Sequence, residues 1–473
     1  TFAPVEEYVA MAEGMNRAGG GVFQAVLDFA TKMDHEMDLL RTMAEVGGDV
    51  LFSTGVGNGS GNQPSEFWGS QIADIRANHG RITGVAQVRP SGSLMGLQQV
   101  PPVRGPKWRA VMSLPTLAER VAALKDDNIR AGLIEEGIAR GLMYDPDLVH
   151  PLGTGEVPDY HMDGGLSVGD LARQQGISPV EVVINRLIES EGREFFNMWF
   201  FSRNTGAMDS FFNIDGILPG LADTGAHAGQ ICDADAGTHF LAHWVRNKKI
   251  MSLEKAIMKM TKESTDLLGI TDRGTVETGK FADLNVFSAD SLEIAYPTYV
   301  NDFPNGKGRL CVNATGYAAT LVNGRVITEQ GVNTGARPGR VLIQTSDVNH
   351  TVLKAIASGD RDAFYAAEWA KRENAGLPPF SRMAAIILSS RSEPAVTEVG
   401  EALAASAPQA NGVVVWGPAP APLSMIRGQT RLRLAVHADR TVNLQAWLRA
   451  WLDPVKLPSI VSMSVDVDPQ SFL

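Results

Sequence analysis

The strongest chemical signal in the chain is a turn, Gly220 to His227, that follows an apolar, strand-like segment. Asp223 stands at the expected carboxyl end of that strand, where the catalytic groups of (β/α)8 barrels lie. A carboxylate there can take a proton from water and return it to a leaving group, as a general base and then a general acid. His227 is a candidate substrate contact or metal ligand. The alternative is that Asp223 caps a turn or a helix.

Three more polar residues of this region could act on a small molecule. Arg89 follows a predicted strand, and its guanidinium could bind a substrate carboxylate through two hydrogen bonds or form a structural salt bridge. His239 and His243 have the i, i+4 spacing that places two residues on one helix face, so they could bind a metal together. No Glu follows His239, which excludes the metalloprotease pattern. The alternative is a helix flank that packs on the barrel.

A basic segment near the other end of the chain suggests different chemistry. Arg431 and Arg433 alternate along a predicted strand, so they share one face and could follow the phosphates of a nucleic acid, with Arg427 in the preceding loop. The alternative is a solvated strand edge whose charges block aggregation.

Apolar runs and capping signals predict the elements that position these residues. Continuous apolar runs are typical of parallel strands covered on both faces. They predict strands over residues 20–27, 49–54, 82–88, 197–201 and 217–222. Helix starts are expected at Thr116, Ser167, Ser178 and Ser252, the last opening one helix over 255–268. Residues 92–110 and 145–166, rich in Gly and Pro, are expected to form long loops over the barrel mouth. Alternating strands and helices indicate an α/β fold.

The pattern changes from Thr275 onward. Short strands and the hairpin signal Asn323-Gly324 predict a small β-unit over 275–342. Residues 343–473 predict a compact α+β domain. Its expected helices cover 358–376, 393–405 and 444–452, and its expected strands cover 383–388, 413–416, 431–436 and 461–467.

Composition limits the function classes. The net charge of −11 lies entirely in residues 1–342, because residues 343–473 contain 12 basic and 12 acidic residues. An acidic first part argues against general nucleic-acid binding there. Two cysteines cannot form a disulfide framework, so a reducing, cytoplasmic location is expected. We find no apolar run long enough to span a membrane and predict no membrane partner.

Residues 1–342 resemble the amidohydrolase superfamily, and within it the N-acyl-D-amino-acid deacylases. The resemblance rests on the Asp223 turn and on several shorter matches, namely Arg89-Pro90-Ser91-Gly92, Leu114-Pro115, Asp272-Arg273-Gly274, Ala282-Asp283-Leu284 and Val322-Asn323-Gly324. It implies hydrolysis of a linear amide C–N bond in a small N-acyl amino acid, by metal-activated water with Asp223 as the proton shuttle. The implied fold is a TIM-type barrel, incomplete over 1–274 because its first strands are expected to precede Thr1.

The resemblance also implies a divalent metal, zinc in the complete family enzyme. The family's His-x-His pair is not found in this chain, and no His follows the strands predicted over 49–54 and 82–88. A different metal site or fewer ligands are therefore expected. His227, His239 and His243 are the candidate ligands, and the identity of the metal stays open.

Residues 343–473 resemble the C-terminal domain of the primosomal replication-restart helicases. The matching residues are Gly359-Asp360-Arg361, Pro378-Pro379-Phe380, Gly417-Pro418-Ala419-Pro420, Arg427 to Arg433 and the final Asp466 to Leu473. The resemblance implies binding of branched or single-stranded DNA and of the single-strand-binding protein. The family's ATP-binding loop and helicase motifs are missing, so no helicase activity is expected.

The two resemblances meet at Arg337-Pro338-Gly339-Arg340-Val341-Leu342, a stretch that fits both families. The first hypothesis is therefore a deacylase-like hydrolase, active only if the missing strands are supplied. The alternative is a DNA and single-strand-binding-protein interaction module, residues 343–473, in a chimeric chain without integrated function. Isolated 1–342 is expected to aggregate, because a partial barrel exposes strand edges.

Overall fold

The structure is a computed structural model that describes residues 4–27, 33–57, 63–90, 92–200, 202–220, 227–339 and 345–469, without the side chain of Asn305. The chain divides into two compact units, Thr1–Gly339 and Arg340–Leu473. None of the helices in these ranges is long and apolar enough to cross a lipid bilayer.

A four-stranded parallel sheet forms the centre of the first unit. Its strands follow the order Val22–Val26, Asp49–Thr54, Ile82–Ala86 and Ile217–Pro219, and all neighbours run parallel. The helices Met33–Val46 and Ser65–Asn78 connect the first three strands. Four of the five predicted strands are thus confirmed, as is the α/β class. Among the described residues, this sheet holds half the strands of a complete (β/α)8 barrel.

The strand predicted over 197–201 belongs to a different sheet. Phe196–Met198 lies between Leu94–Met95 and Val149–Pro151, antiparallel to both. Its prediction as a barrel strand was wrong, because a short apolar run shows burial but not the direction of its neighbours. The prediction of two long loops was wrong in part: each segment supplies one strand of this sheet, and Pro106–Met112 is a helix, whereas residues 152–166 contain neither helix nor strand.

A second core packs beside that small sheet. It is built by the helices Pro106–Met112, Leu117–Lys125, Asp127–Arg140, Val168–Gln175 and Pro179–Glu189. Capping boxes at Thr116, Ser167 and Ser178 begin three of these helices, as predicted. Ser252 also caps its helix, but that helix covers Leu253–Met260 and a second one, Lys262–Leu267, follows. The expected single helix breaks at Thr261, whose φ and ψ of −122° and −79° are not helical.

The hairpin predicted at Asn323-Gly324 is present in the first unit. Asn323 and Gly324 take φ values of 49° and 75°, as a type I′ hairpin requires. The hairpin lies in a sheet with the order Val332–Asn333, Arg325–Glu329, Tyr317–Val322 and Leu284–Phe287. The remaining elements are Val5–Arg17, Pro146–Leu148, Thr205–Ala207, Met208–Phe212, Ala236–His239, the π-helix Phe240–Asn247, Ala289–Ser291, Glu293–Ile294, Thr298–Val300, Pro304–Gly306, Arg309–Cys311 and Ala314–Thr315.

The second unit has a β-α-β-β-α-β order after an opening helical pair. The pair is Thr351–Ser358 and Arg361–Asn374. The second helix confirms the one predicted over 358–376, whereas the first was not predicted and ends at Gly359, which has a φ of 70°. The strands and helices that follow are Ser381–Ser390, Glu393–Ala405, Val413–Ile426, Gln429–Asp439, Leu444–Leu452 and Ser462–Val467. The sheet is antiparallel, with the second strand at one edge, the fourth at the other, and the third beside the first in the centre. This arrangement is ferredoxin-like.

Candidate functional site

The two ends of the parallel sheet differ in their chemistry. A cavity of about 540 Å³ lies at the amino ends of the strands, lined by Asp49, Thr83 and Gly216 among others. Catalytic residues of α/β barrels come instead from the carboxyl ends of strands. The candidate site is therefore expected at the carboxyl ends of the strands, although the cavity of about 540 Å³ lies at their amino ends.

Buried polar atoms without partners gather at those carboxyl ends. Thr54 ends one strand, and Gln87 and Arg89 follow the next, each of them at most 6% exposed. Thr54 Oγ1, Gln87 Oε1 and two nitrogens of Arg89 have no hydrogen-bond partner among the described residues. Buried polar atoms in folded proteins are nearly always paired, so a cluster of unpaired ones indicates a place where a ligand, an ion or water binds.

Arg89 holds the centre of this cluster. Its Nη2 donates to Asp235 Oδ1 at 2.6 Å, to the carbonyl oxygen of Cys232 at 3.1 Å and to Tyr160 Oη at 3.2 Å. The guanidinium carbon also lies 3.9 Å from the centre of the Tyr160 ring. Burial lowers the pKa of Arg89, but Asp235 and Tyr160 raise it by more, so the group stays charged. Nε and Nη1 are the two nitrogens left unpaired.

Two histidines come together where the short helix Ala236–His239 continues into the π-helix Phe240–Asn247. Phe240–Asn247 is anchored by Trp244, whose Nε1 donates to the carbonyl oxygen of Val88 at 2.7 Å, just before Arg89. His239 and His243 stack with ring centres 5.3 Å apart and planes 10° apart, and the Nε2 atoms of both lack a described partner. Burial and the charge of Arg89 hold the pKa of His239 well below its usual value, so this imidazole is neutral. π-helical turns occur frequently at functional sites.

The histidines line a cavity of about 400 Å³. Its wall consists of the segment 157–164, the histidine face of the π-helix, and Glu293 with Ile294. Tyr160 connects the two parts of the site, because it lines this cavity and contacts Arg89. Burial raises the pKa of the Tyr160 phenol, although Arg89 lowers it, so the hydroxyl keeps its proton.

The predicted site residues divide into three groups. Arg89, His239 and His243 come together, as described above. Asp223 lies outside the described residues, so its catalytic role stays a prediction. His227 is exposed, and its carbonyl oxygen accepts from the backbone nitrogens of Gln230 and Ile231 at 2.8 and 2.9 Å. Its roles as substrate contact and metal ligand stay predictions as well.

The described residues do not complete a metal site. In the described ranges, no group of three or more His, Cys, Asp or Glu side chains is placed to hold one ion. His239 and His243 offer two neutral imidazoles, which suit a metal such as zinc, but a protein zinc site needs at least three ligands. The divalent metal implied by the family resemblance is therefore not supported by these residues alone, and we derive no chemical step through it.

Sequence reasoning missed Tyr160 and Asp235. Tyr160 lies in a segment interpreted as a long loop, whose Tyr160-His161-Met162-Asp163 run was a usable signal. Asp235 could have been inferred from Arg89, because a guanidinium buried at a strand end needs a carboxylate partner. Cys232, between the turn and Asp235, is buried, and burial raises the pKa of its thiol to about 12. It is therefore not a thiolate nucleophile at neutral pH.

The basic residues of the second unit occupy one hairpin. Arg427 is at its tip with a φ of 50°, between Ile426 and Gln429, which pair across the turn. Arg431 and Arg433 lie opposite Ser389 and Ile387 of the neighbouring strand. The alternate residues Leu434 and Val436 pack in the core under the helices Glu393–Ala405 and Leu444–Leu452. Both arginines are therefore on the opposite face of the sheet, which we call the helix-free face. The predicted shared face of Arg431 and Arg433 is confirmed, whereas their DNA contact stays a prediction.

Comparison with known proteins identifies two segments. Residues 167–328 match the Amidohydrolase family, and residues 373–470 match the Primosomal protein N C-terminal domain. The chain is 37% identical over 144 residues to the replication restart protein PriA of Rickettsia felis, covering 29% of this chain and 22% of that protein. It is 32% identical over 110 residues to a D-aminoacylase of Alcaligenes xylosoxydans xylosoxydans, covering 22% of this chain and 20% of that protein. Both predicted resemblances are confirmed.

The chain thus spans about a fifth of the length of these curated relatives. Among solved structures, a D-aminoacylase matches with a TM-score of 0.41 and 18% identity, over 72% of this chain and 60% of that one. An N-acyl-D-glutamate deacylase from Bordetella bronchiseptica, complexed with zinc and a phosphonate inhibitor, matches with a TM-score of 0.42 and 17% identity, over 72% and 59%. These scores are too low to establish a shared fold.

Proposed function

We propose that the first unit hydrolyses the amide bond of a small N-acyl amino acid in the family's barrel architecture. The observation that carries this proposal is the charged, buried Arg89 with two unpaired N–H groups at the carboxyl end of its strand. A guanidinium with free donors binds a carboxylate well, and every N-acyl amino acid carries one. The Amidohydrolase match and the D-aminoacylase relative support the same substrate class.

Asp223 is the proposed proton shuttle. In this mechanism Asp223 takes a proton from water as the water oxygen attacks the amide carbonyl carbon. The C–N bond then breaks, and the same carboxylic acid returns its proton to the leaving amine, which yields a carboxylate and a free amino acid. Tyr160 and His239, both uncharged at neutral pH, would contribute hydrogen bonds without adding charge.

The test is the release of free amino acid from N-acetyl-D-amino acids by the full chain, with and without added zinc. Asp223→Asn should lower the rate at least about 100-fold, the lower limit for loss of a general base. Arg89→Met should mainly raise KM, and Arg309→Met, which removes a partly exposed arginine paired with Asp302, should change neither kcat nor KM. Absence of both turnover and substrate binding in the unaltered chain, under either metal condition, would remove the proposal.

We propose a second function, binding of DNA, for the second unit. The observation that favours it is the pair Arg431 and Arg433 on the helix-free face, within the segment that matches the primosomal protein. Salt-sensitive binding of forked DNA by the full chain is expected, because displaced counterions drive such binding. Binding of the single-strand-binding protein is proposed from the same relatives. The hypothesis of a chimeric chain without integrated function stays a prediction. It predicts that amide hydrolysis by the first unit and DNA binding by the second do not affect each other.

A further inference from the structure

The helix-free face of the second unit's sheet presents an exposed aromatic ring beside basic residues. Trp416 is 49% exposed, whereas Trp451, which faces the core from the helix Leu444–Leu452, is 2% exposed. Trp416 pairs with Ala435 across the central hairpin, which places it on the same face as Arg433 and Arg431. A tryptophan kept half in water on a sheet is unusual, because burying its ring would stabilise the fold.

The neighbours of Trp416 are arranged in rows across the sheet. Val414 and His437 face each other next to it, and the Trp416 and His437 rings are 5.6 Å apart. His437 Nε2 bonds to the carbonyl oxygen of Gly376 at 2.7 Å, which holds the ring in place. Along the strand Gln429–Asp439, the order on this face is His437, Ala435, Arg433 and Arg431, so basic side chains follow the aromatic pair directly.

The charge of this face matches a polyanion. Arg431 and Arg433 lie on the central strand, and Arg427 extends the same end at the hairpin tip. The register places two acidic residues on this face: Asp439, two positions beyond His437 at the end of the same strand, and Asp466, on the far edge strand opposite Ala385. Positive charge is therefore concentrated at the Arg427 end of the face, and Trp416 lies between that end and Asp439, although residues 343–473 have no net charge.

We propose that this face is a platform for an unpaired strand of nucleic acid, with one base stacked on Trp416 and the adjoining phosphates on Arg433 and Arg431. The inference rests on the proposed DNA binding of this unit and specifies which form of nucleic acid it takes. Every base has a flat π-face, so a half-exposed tryptophan recognises unpaired bases without regard to sequence. A duplex offers phosphates but keeps its bases stacked inside, so it cannot use the ring.

The experiment measures anisotropy of labelled oligothymidylate, about 20 nucleotides long so that it exceeds the ~4–16 nucleotides that a small fold covers. The full chain is titrated at several salt concentrations, with oligouridylate and a blunt duplex of equal length in parallel. Trp416→Leu should weaken oligothymidylate binding about 10-fold and leave duplex binding unchanged. Arg431→Gln with Arg433→Gln should weaken both and lower the salt slope for the single strand by about 0.7 per lost phosphate contact.

Two matched controls separate the platform from general effects. Trp369→Leu removes another half-exposed tryptophan, from a helix, and Arg449→Gln removes an arginine from a helix of the covered face. Neither should alter binding. Trp416→Phe should restore most of the affinity, which shows that loss in the Leu variant reflects the ring and not misfolding. A preference between the two oligomers then tells DNA from RNA as the strand that is bound.

The outcomes distinguish the platform from the function it rests on. If the full chain binds oligothymidylate and Trp416→Leu behaves like Trp369→Leu, the platform is refuted and DNA binding stands. If no nucleic acid binds even at low salt, both the proposed DNA binding and the platform are removed. A Trp416-dependent loss confined to single strands supports the platform.

Discussion

The first unit buries several charged side chains, whereas the second unit leaves those of residues 345–469 at least partly exposed. In the first unit Arg89, Asp235, Glu194 and Lys259 are all at most 5% exposed. In the second, no charged side chain among residues 345–469 is buried, and its core is apolar. Buried charge must be paired to be tolerated, while exposed charge is stable alone and available to partners. Removing a buried charge of the first unit should therefore lower its stability, whereas removing an exposed basic residue of the second unit should weaken binding.

The pair Arg89 and Asp235 gives the largest expected effect. Asp235→Ala leaves the Arg89 guanidinium buried without a carboxylate, and we expect a loss of about 3–5 kcal/mol in unfolding free energy. Hydrogen-exchange mass spectrometry along a urea gradient measures this, because it follows each unit separately. The double change Arg89→Met with Asp235→Leu should recover most of the stability, since no unpaired charge remains.

Asp302→Ala is the control for that prediction. Asp302 pairs with Arg309 at 2.7 Å on the surface, and its loss should produce no measurable change. Equal stability of the Asp235→Ala and Asp302→Ala variants would show that Arg89 is neutralised by another group. It would contradict the claim that the first unit depends on this buried ion pair for its stability.

Adjacent positions of one strand sharpen the comparison inside the second unit. Leu434 is fully buried under the helices, whereas Arg433 lies on the opposite face. Leu434→Ala should lower the unfolding free energy by about 2–5 kcal/mol through a cavity in the core. Arg433→Ala should change it by about 0.5 kcal/mol or less, as surface substitutions do. Urea unfolding followed by the same exchange method decides this, and a large loss for Arg433→Ala would contradict the assignment of the face to binding.

The sequence predicted local structure better than the arrangement of sheets. Capping boxes at Thr116, Ser167 and Ser178 depend on residues three apart, so they were correctly predicted from the pattern alone. The strand at Phe196–Met198 was also found, but its antiparallel partners, Leu94–Met95 and Val149–Pro151, lie far away in sequence. No local pattern records which distant segment a short strand joins.

The same limit applies to the candidate site. Arg89, His239 and His243 were selected from residue type and position, and the structure brings them together. Asp235, 146 residues from Arg89, became visible only through its 2.6 Å contact. The two buried nitrogens of Arg89 that remain unpaired depend on the exact position of every neighbour, which spacing in the sequence does not give.

Acid should destabilise the first unit through His150. This imidazole is buried and stacks on Trp199 with ring centres 3.9 Å apart. Its pKa is lowered to about 4, mainly by burial and to a smaller extent by the nearby His161. In the unfolded chain the His150 imidazole has a pKa near 6.5 and binds a proton below that pH. In the folded chain it stays neutral until the pH approaches 4. Stability is therefore full above pH 6.5 and falls as the pH drops toward 4, by at most about 1.4 kcal/mol per pH unit.

His150→Gln tests that assignment, because Gln does not titrate. Urea unfolding of the full chain between pH 7 and pH 4 should show a shallower fall in the variant than in the unaltered chain, in the first unit and not in the second. His437→Gln is the matched control in the second unit. An unchanged slope for His150→Gln would mean that His150 is protonated in the folded state.

The smallest expected effect comes from a helix cap in the first unit. The cap stabilises its helix through hydrogen bonds and does not depend on buried charge. Ser178 Oγ accepts a hydrogen bond from the backbone nitrogen of Glu181 at 3.2 Å. In turn, Glu181 Oε2 accepts one from the backbone nitrogen of Ser178 at 2.9 Å. Ser178→Ala should lower the unfolding free energy of the first unit by about 1 kcal/mol, since loss of the cap leaves a helix N–H donor unpaired. Thr42→Ala, within the helix Met33–Val46, should cause no loss because Ala is a better helix former. If both variants lose the same stability, the helix start is held by packing of Val180 and Val183 and not by its cap.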